Sequence, residues 1–283
     1  MSTHSITRAS TAPELRARKP SRDVGAPITM LTAYDYPMAR ILDEAGVDSL
    51  LVGDSVGTVI YGEPNTLSMT VDKMIPHVQA VARAAKHALV VADLPFMSYQ
   101  TSVSDAVRSA GRMLQEGRAQ AVKLEGGLEW AETIAAIVRA GIPVVGHIGL
   151  MPQSVHAIGG YRSFGKTDAE RKYLLESARA LENAGAFAIV LECVKATLAF
   201  ELTNAISIPT IGIGAGTGCD GQVLVTHDLV GLTQGHIPSF VHPEADLKVQ
   251  LAAAVRRFQD RTTYQKPNSE ALTPLPAEPI GHV

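Results

Sequence analysis

Acidic and histidine residues recur at the ends of short apolar runs along this sequence. Asp54, Asp93 and Glu125 each follow such a run, and His147 and Glu192 do the same further along. A carboxylate beside an apolar core is costly unless it is paired or bound to a metal ion. If the runs are parallel strands of a barrel, their carboxyl ends meet at one rim, where active sites are built. The pattern therefore predicts an active site.

The first three acids predict a divalent-cation site. Asp54, Asp93 and Glu125 would repel one another in a small opening, and a cation would relieve that repulsion. Oxygen ligands without cysteines or paired histidines favour Mg²⁺ over Zn²⁺. A magnesium ion leaves positions open for a chelating oxyacid. Each acid alone is more simply explained as a helix N-cap or a salt-bridge partner, but recurrence on five strands favours a site.

The remaining polar residues have separate expected roles. Lys123 lies two residues before Glu125, so both side chains point to one face of a strand. Its ammonium is expected to bind a substrate carboxylate or enolate, with neutralisation of Glu125 as the alternative. Glu192 is expected to be a general base, and His147 to orient a neighbouring group. Cys193 is interpreted as a small buried apolar residue.

One glycine-rich segment resembles a nucleotide-binding motif. Residues 216–221 match the pattern GxGxxG and follow an apolar run. Residues 222–226 look like a strand, whereas the dinucleotide motif requires a helix there. We therefore interpret the glycines as a tight turn with close backbone approach. The sequence contains no Walker loop, GxSxG elbow or zinc-ligand spacing.

Eight short apolar runs alternate with amphipathic helical patterns. Several helices end at a glycine, such as Gly46, Gly141 and Gly185, and continuous apolar runs are typical of strands covered on both faces. Eight such units without a break in composition predict an α/β protein with a single (β/α)₈ TIM barrel. An open doubly wound sheet is the main alternative. The predicted strands are residues 28–33, 49–54, 89–94, 121–125, 143–148, 188–193, 209–214 and 222–226.

Composition fits a folded protein of a reducing compartment. The chain has 283 residues, of which 46% are hydrophobic and 19% charged, so general disorder is excluded. A net charge of −3 gives no basic footprint for nucleic acid. Two cysteines, Cys193 and Cys219, exclude a disulfide scaffold and fit a reducing compartment. We find no stretch that resembles a membrane span and no apolar block of a secretory signal.

The barrel is expected to occupy the middle of the chain. We predict a flexible basic N-terminal segment over residues 1–25, for which an organelle transit peptide is the alternative. The catalytic barrel is predicted over 26–265. A loosely held tail rich in proline is predicted over 266–283.

An ordered set of short segments resembles the ketopantoate hydroxymethyltransferase family. The segments follow the family order from about residue 29 to residue 240, and the set is far more specific than any single member. They are Thr32-Ala-Tyr-Asp-Tyr36, Leu51-Val-Gly-Asp-Ser55, Ala92-Asp-Leu-Pro-Phe-Met97, Val122-Lys-Leu-Glu-Gly-Gly127, Gly146-His-Ile-Gly-Leu150, Pro152-Gln-Ser154, Gly159-Gly-Tyr161, Leu191-Glu-Cys193, Ile211-Gly-Ile-Gly-Ala-Gly216 and Asp220-Gly-Gln222.

The resemblance implies a specific activity. Family members are Mg²⁺-dependent barrels of the phosphoenolpyruvate/pyruvate superfamily. They transfer a one-carbon unit from 5,10-methylenetetrahydrofolate to 3-methyl-2-oxobutanoate, which gives 2-dehydropantoate for pantothenate and coenzyme A biosynthesis. The implied assembly is a cytoplasmic homo-oligomer, often a decamer, without nucleic-acid or membrane partners. By motif matching, the metal ligands are Asp54, Asp93 and Glu125, the substrate contacts are Asp54, Ser55, Asp93 and Lys123, and the proton acceptor is Glu192.

The sequence also departs from the family pattern. Arg162-Ser-Phe164-Gly-Lys166-Thr167 replaces a stretch with Gln and Gly-Arg-Gly, Lys195 replaces a proline, and the usual His-Ser-Phe tail is missing. None of these positions is a predicted metal or base position. Three alternatives therefore stay open: a lyase or mutase of the same superfamily, a paralogue with altered substrate preference, and a barrel that binds a keto acid without catalysis.

Overall fold

Eight parallel strands close into one barrel. The computed structural model describes residues 9–19, 27–235 and 237–262. Each strand pairs with the next along the chain, and the last returns to pair with the first. The closed barrel confirms the predicted fold and excludes the open sheet. The strands are β1 Ile28–Thr32, β2 Ser49–Val52, β3 Leu89–Asp93, β4 Ala121–Glu125, β5 Val144–Gly149, β6 Ala188–Glu192, β7 Thr210–Ile213 and β8 Gly221–Leu224.

The strand register places the predicted site residues at one level. Asp93 on β3 is the partner of Lys123 on β4, and Glu125 is the partner of His147 on β5. Glu192 at the end of β6 is the partner of the glycine that ends β5. Because every pairing is parallel, these side chains reach the same rim of the barrel.

Helices cover the outside of the barrel. Several begin at a side chain that accepts a backbone N–H, as expected for N-caps, and Ser102 and Thr167 are two examples. The helices are α1 Ala12–Ala17, α2 Tyr36–Glu44, α3 Val56–Val59, α4 Val71–Ala84, α5 Val103–Gln115, α6 Ala131–Arg139, α7 Val155–Ile158, α8 Asp168–Asn183, α9 Ala196–Ala205, α10 Thr226–Leu229 and α11 Leu247–Thr262, with 3₁₀ turns at Leu128–Trp130 and Pro152–Ser154.

The core has two layers. One cluster of buried side chains lies between the strands and the helices, and includes Val78, Leu124 and Leu181. The other contains inward-facing strand residues such as Met30 and Val145. Burial on both faces explains why the strands read as continuous apolar runs.

A short N-terminal helix packs against the barrel, so the expectation of a flexible segment over residues 1–25 is wrong for residues 9–19. Thr11 and Glu14 form a reciprocal capping box at the start of α1. Leu15 is only 2% exposed and joins the cluster inside the barrel. Lys19 pairs with Asp220 at 2.8 Å. The cap and this buried leucine hold the segment in place despite its basic composition.

The glycine-rich segment ends in a strand, as predicted. Gly221 begins β8, where a Cβ atom would lie 2.5 Å from the carbonyl oxygen of Ile28 on β1. Only glycine allows this close approach at the point where the barrel closes.

The ends of the chain are described only in part. The predicted boundaries at residues 25/26 and 265/266, and the Pro-rich tail, lie outside the described residues. Within the described ranges, no helix has both the length and the apolar composition that crossing a membrane requires.

Candidate active site

The predicted site residues converge on one cavity at the carboxyl ends of the strands. This cavity, which we call the mouth cavity, has a volume of about 120 Å³. Its lining includes all seven predicted residues: Asp54, Ser55, Asp93, Lys123, Glu125, His147 and Glu192. Lys123 and Glu125 both face it, as their spacing predicts.

The mouth cavity contains three buried carboxylates that repel one another when ionised. Asp54, Asp93 and Glu125 are each at most 5% exposed. Burial and the charge of Asp93 raise the pKa of Asp54 to about 7. Burial and the charge of Asp54 raise the pKa of Glu125 well above its usual range. Additional positive charge in the mouth cavity would favour the ionised acids.

Lys123 supplies part of that positive charge. Burial alone would lower the pKa of its ammonium, but Asp93, Glu125 and Asp54 outweigh burial and raise it. Its Nζ lies 3.0 Å from Asp93 Oδ1. Among the three acids, the direct partner of Lys123 is therefore Asp93, and Glu125 acts on it only through charge.

His147 connects Lys123 with Glu192. Lys123 Nζ donates to His147 Nδ1 at 3.2 Å, so the imidazole hydrogen is assigned to Nε2. Nε2 lies 3.1 Å from Glu192 Oε2, in a contact too poorly aligned to be a hydrogen bond. Burial and the charge of Lys123 lower the pKa of His147, which favours the neutral ring. The neutral ring therefore lies beside Glu192 without neutralising its charge, and its orienting role stays a prediction.

Glu192 is the most accessible acid of the group. Its side chain is 18% exposed, whereas the side chain of His147 is 2% exposed. A base that must accept a proton from a bound molecule needs such access. Cys193 follows with φ 51° and is half-buried rather than fully buried as expected. Burial and the charge of Glu192 raise the pKa of this thiol to about 11.

Gln153 is a site residue to which sequence reasoning assigned no role. Its Nε2 donates to Asp54 Oδ2 and to the carbonyl oxygen of Leu94, both at 2.9 Å. Its backbone N–H donates to Glu125 Oε2 at 3.0 Å. Its Oε1 accepts from Tyr99 Oη at 2.9 Å. The sequence signals are its place in the family-like segment Pro152-Gln-Ser154 and its position shortly after β5, because a neutral amide does not stand out among the charged residues.

Tyr34 supports Ser55 from the β1 side. The Tyr34 hydroxyl lies 2.8 Å from Ser55 Oγ, and Tyr34 is buried. The carbonyl oxygen of Tyr34 contacts His77 Nδ1 at 2.6 Å. These contacts fix the orientation of the serine at the edge of the mouth cavity.

The donor set suits a hard cation but does not form a site from three acidic ligands. Asp93 Oδ2 accepts the backbone N–H of Asp54 at 3.0 Å, whereas the buried Asp93 Oδ1 has no aligned hydrogen bond. Among the described residues, no group of three or more His, Cys, Asp or Glu side chains is arranged to hold a metal ion. Mg²⁺ commonly uses only one or two carboxylates together with substrate and water. Asp54, Asp93 and Glu125 carry the oxygen donors that this ion takes, and their assignment as its ligands stays a prediction.

Solved structures share this fold. Phosphonopyruvate hydrolase in complex with oxalate and Mg²⁺ superposes with a TM-score of 0.57 and 16% identity, over 89% of this chain and 87% of that one. 2,3-Dimethylmalate lyase, a member of the PEP mutase/isocitrate lyase superfamily, gives a TM-score of 0.56 and 17% identity, over 88% and 86%. At this identity the likeness shows the fold alone.

Sequence comparison gives a closer relationship. Residues 10–267 match the model of the family described as ketopantoate hydroxymethyltransferase. The 3-methyl-2-oxobutanoate hydroxymethyltransferase of Syntrophus aciditrophicus (strain SB) is 54% identical over 258 residues, which are 91% of this chain and 94% of that protein. The protein therefore belongs to the ketopantoate hydroxymethyltransferase family.

Proposed function

We propose that this protein transfers a hydroxymethyl group from 5,10-methylenetetrahydrofolate to 3-methyl-2-oxobutanoate, with Mg²⁺ as its metal. The naming of a relative at 54% identity supports the keto acid as acceptor. The volume of the mouth cavity, about 120 Å³, suits a small branched keto acid. The phosphonopyruvate hydrolase of the same fold, solved with oxalate and Mg²⁺, supports an oxyacid and a divalent ion at this rim.

The observation that carries the proposal is the position of Glu192. Its carboxylate lies at the mouth cavity, next to the neutral His147 and across from the buried acids. A keto acid whose carboxylate pairs with Lys123 would present its branched carbon to this base. Glu192 then removes the proton, and His147 keeps the carboxylate oriented.

Asp54 and Asp93 would hold the metal ion, and Ser55 would contact the substrate beside them. When bound, a divalent cation supplies positive charge next to the keto oxygen, which lowers the barrier to proton loss at the neighbouring carbon. Gln153 holds the carboxylate of Asp54 and, through its backbone, that of Glu125. Lys123 contributes a second fixed positive charge for the anionic substrate.

The complete reaction balances with water as the third reactant. The C–H bond at the branched carbon breaks, and a C–C bond forms to the methylene carbon of the folate. Both C–N bonds of that methylene group break, and water supplies the hydroxyl oxygen. The proton from the keto acid and one proton from water return to the two folate nitrogens.

Two measurements test the proposal. The purified protein should form 2-dehydropantoate from the keto acid and methylenetetrahydrofolate only with Mg²⁺, and should exchange the branched-carbon proton with D₂O. Glu192→Gln should lower that exchange by about 10²–10⁴-fold, the usual contribution of a general base, without loss of keto acid binding. Glu201→Gln is the matched control, because Glu201 lies on the outer helix α9, where it pairs with Arg171 of α8.

Other outcomes would contradict the proposal. Unchanged exchange in Glu192→Gln would remove Glu192 as the base. Absence of hydroxymethylated product, together with cleavage of a C–C or C–P bond in a related acid, would favour a lyase. Tight keto acid binding without exchange or turnover would favour a barrel that only binds.

We also propose a cytoplasmic homo-oligomer, as family membership leads us to expect. Both cysteines are free thiols, which suits a reducing compartment. Helix α11 exposes Leu251, Val255 and Phe258, each by 47% or more. An exposed row of large apolar residues is typical of an interface. Light scattering on the wild-type protein and on Phe258→Ser tests this, and a monomeric wild-type protein would refute it.

A further inference from the structure

A second cavity lies beside the mouth cavity and has no role so far. Its volume is about 320 Å³, within the range of about 300–1,000 Å³ that is typical of ligand pockets. We call it the side cavity. Arg162 and Tyr173 line it and are both exposed, so it reaches the surface. Its lining also includes Gly149, Met151, Phe164, Ala169, Glu170 and Leu174.

The ends of β5 and β6 lie between the two cavities, and β6 ends at the proposed base. Gly149 lines the side cavity and is the register partner of Glu192. A Cβ atom on Gly149 would lie 2.2 Å from the carbonyl oxygen of Glu192. The backbone N–H of Phe164 donates to the carbonyl oxygen of Cys193 at 2.8 Å. Two residues that line the side cavity, Gly149 and Phe164, therefore pack against the end of β6.

The loop before α8 connects the side cavity with the end of β6. Arg162 and Phe164 line the side cavity. Phe164 also pairs with Val194, two residues after Glu192. A molecule in the side cavity would therefore lie against the loop that packs on the end of β6.

The one-carbon donor needs such a second site. The mouth cavity, at about 120 Å³, is too small for the bicyclic ring of a folate in addition to the keto acid. Only the methylene group has to reach the branched carbon of the keto acid. The remainder of the donor must bind outside the mouth cavity and close to Glu192.

The chemistry of the side cavity suits a pterin ring. The Arg162 guanidinium lies 4.0 Å from the centroid of the Phe164 ring, and together they form a flat surface for stacking. Met151 and Leu174 supply apolar contacts. The Glu170 carboxylate lines the same cavity and already accepts from Arg162 and from two backbone N–H groups of the loop before α8, so it holds Arg162 beside the Phe164 ring.

We propose that the side cavity, bounded by Arg162, Phe164, Ala169, Glu170 and Tyr173, binds the reduced pterin ring of the one-carbon donor next to Glu192. This inference rests on the proposed hydroxymethyl transfer and adds the location of the second substrate. The side cavity binds and orients the ring, and no bond is made or broken by its residues.

The test blocks the side cavity without touching the mouth cavity. Ala169 is an exposed residue near the start of α8, so Ala169→Phe adds a ring to the side cavity with little effect on the core. The KM for methylenetetrahydrofolate should rise at least about tenfold (about 1.4 kcal/mol), with an unchanged KM for the keto acid. Lys172→Phe, which places the same ring on an exposed position of α8 outside the side cavity, should leave both values unchanged.

Two further readouts separate the possible failures. Proton exchange of the keto acid, which needs no donor, should be normal in Ala169→Phe and shows that the variant is folded. A tetrahydropterin without its tail should inhibit the wild-type enzyme competitively with the donor, and should lose potency in Ala169→Phe. The fragment p-aminobenzoylglutamate should keep its potency.

The proposal is overturned if Ala169→Phe has a normal KM for the donor, if the tetrahydropterin does not inhibit, or if only p-aminobenzoylglutamate loses potency. The last result would assign the side cavity to the folate tail. A wild-type enzyme that exchanges the keto acid proton but never uses methylenetetrahydrofolate would refute the proposed transfer itself.

Discussion

Replacement of Gln153 by leucine tests how the acids of the mouth cavity are held. The side chain of Gln153 makes hydrogen bonds to Asp54, the carbonyl of Leu94, Tyr99 and Gln100. In Gln153→Leu, Tyr99 keeps the carbonyl oxygen of Glu125 as a partner, at 2.9 Å. Asp54 Oδ2 and the Leu94 carbonyl lose their Gln153 donor.

The expected loss of stability follows from these two groups. A buried polar group left without its partner costs about 1–3 kcal/mol, so the free energy of unfolding should fall by about 2–6 kcal/mol. Gln153→Glu has nearly the same size and should be at least as destabilising at pH 7, because an ionised carboxylate cannot donate to Asp54. The control Gln79→Leu removes one exposed hydrogen bond, to the carbonyl of Glu116, and should cost under about 1.5 kcal/mol.

Urea unfolding measures the stability, and titration with keto acid and Mg²⁺ measures the site. We expect weaker keto acid binding in Gln153→Leu under conditions where the variant is still folded, because Asp54 is no longer oriented. Gln79→Leu should bind normally. If Gln153→Leu unfolds at the same urea concentration as the wild-type protein and binds the keto acid equally well, Gln153 does not hold the acids.

Two further predictions concern residues away from the mouth cavity. Asp43 accepts three backbone N–H groups of residues 86–88; burial raises its pKa, but these bonds outweigh burial and lower it. Asp43→Asn should therefore lower the free energy of unfolding by about 1.5–3 kcal/mol at pH 7. The difference in stability between the variant and the wild-type protein should shrink as the pH falls below about 4. A difference in urea unfolding that stays constant over this pH range would contradict the prediction. Gly126 has φ 131°, and its Cβ would lie 1.9 Å from Trp130 Cδ1. Gly126→Ala should cost about 1–3 kcal/mol and alter the fluorescence of the single tryptophan, and an unchanged spectrum would show that the ring does not move.

Local sequence determined the barrel strands. Each strand is a short apolar run bounded by polar or glycine residues, and all eight are present with ends that shift by no more than two residues. The largest shifts occur at the rim, and there the predicted strand 49–54 ends at Val52. Asp54 already lies in a turn there, with its carbonyl oxygen accepting the N–H of Gly57. Hydrophobic pattern marks where a strand is buried, but not where its ladder of hydrogen bonds stops.

The segment before β1 shows that a basic, polar composition does not exclude an ordered helix. Residues 9–19 are basic and polar overall, and this composition predicts a flexible segment. One capping box and the buried side chain of Leu15 are enough to order α1. The pattern of Thr11 and Glu14 was present in the sequence, but only the barrel supplies the surface that buries the leucine.

The sequence by itself determined which charged residues gather at the rim, because strand ends in a parallel barrel share one side and each acid follows its own apolar run. Tertiary structure alone decided their partners. Lys123 pairs with Asp93 rather than with its near neighbour Glu125, since β3 and β4 lie side by side in this register. The amide of Gln153 reaches Asp54 across 99 positions of sequence. Such contacts depend on distances between strands, which no local pattern of residues encodes.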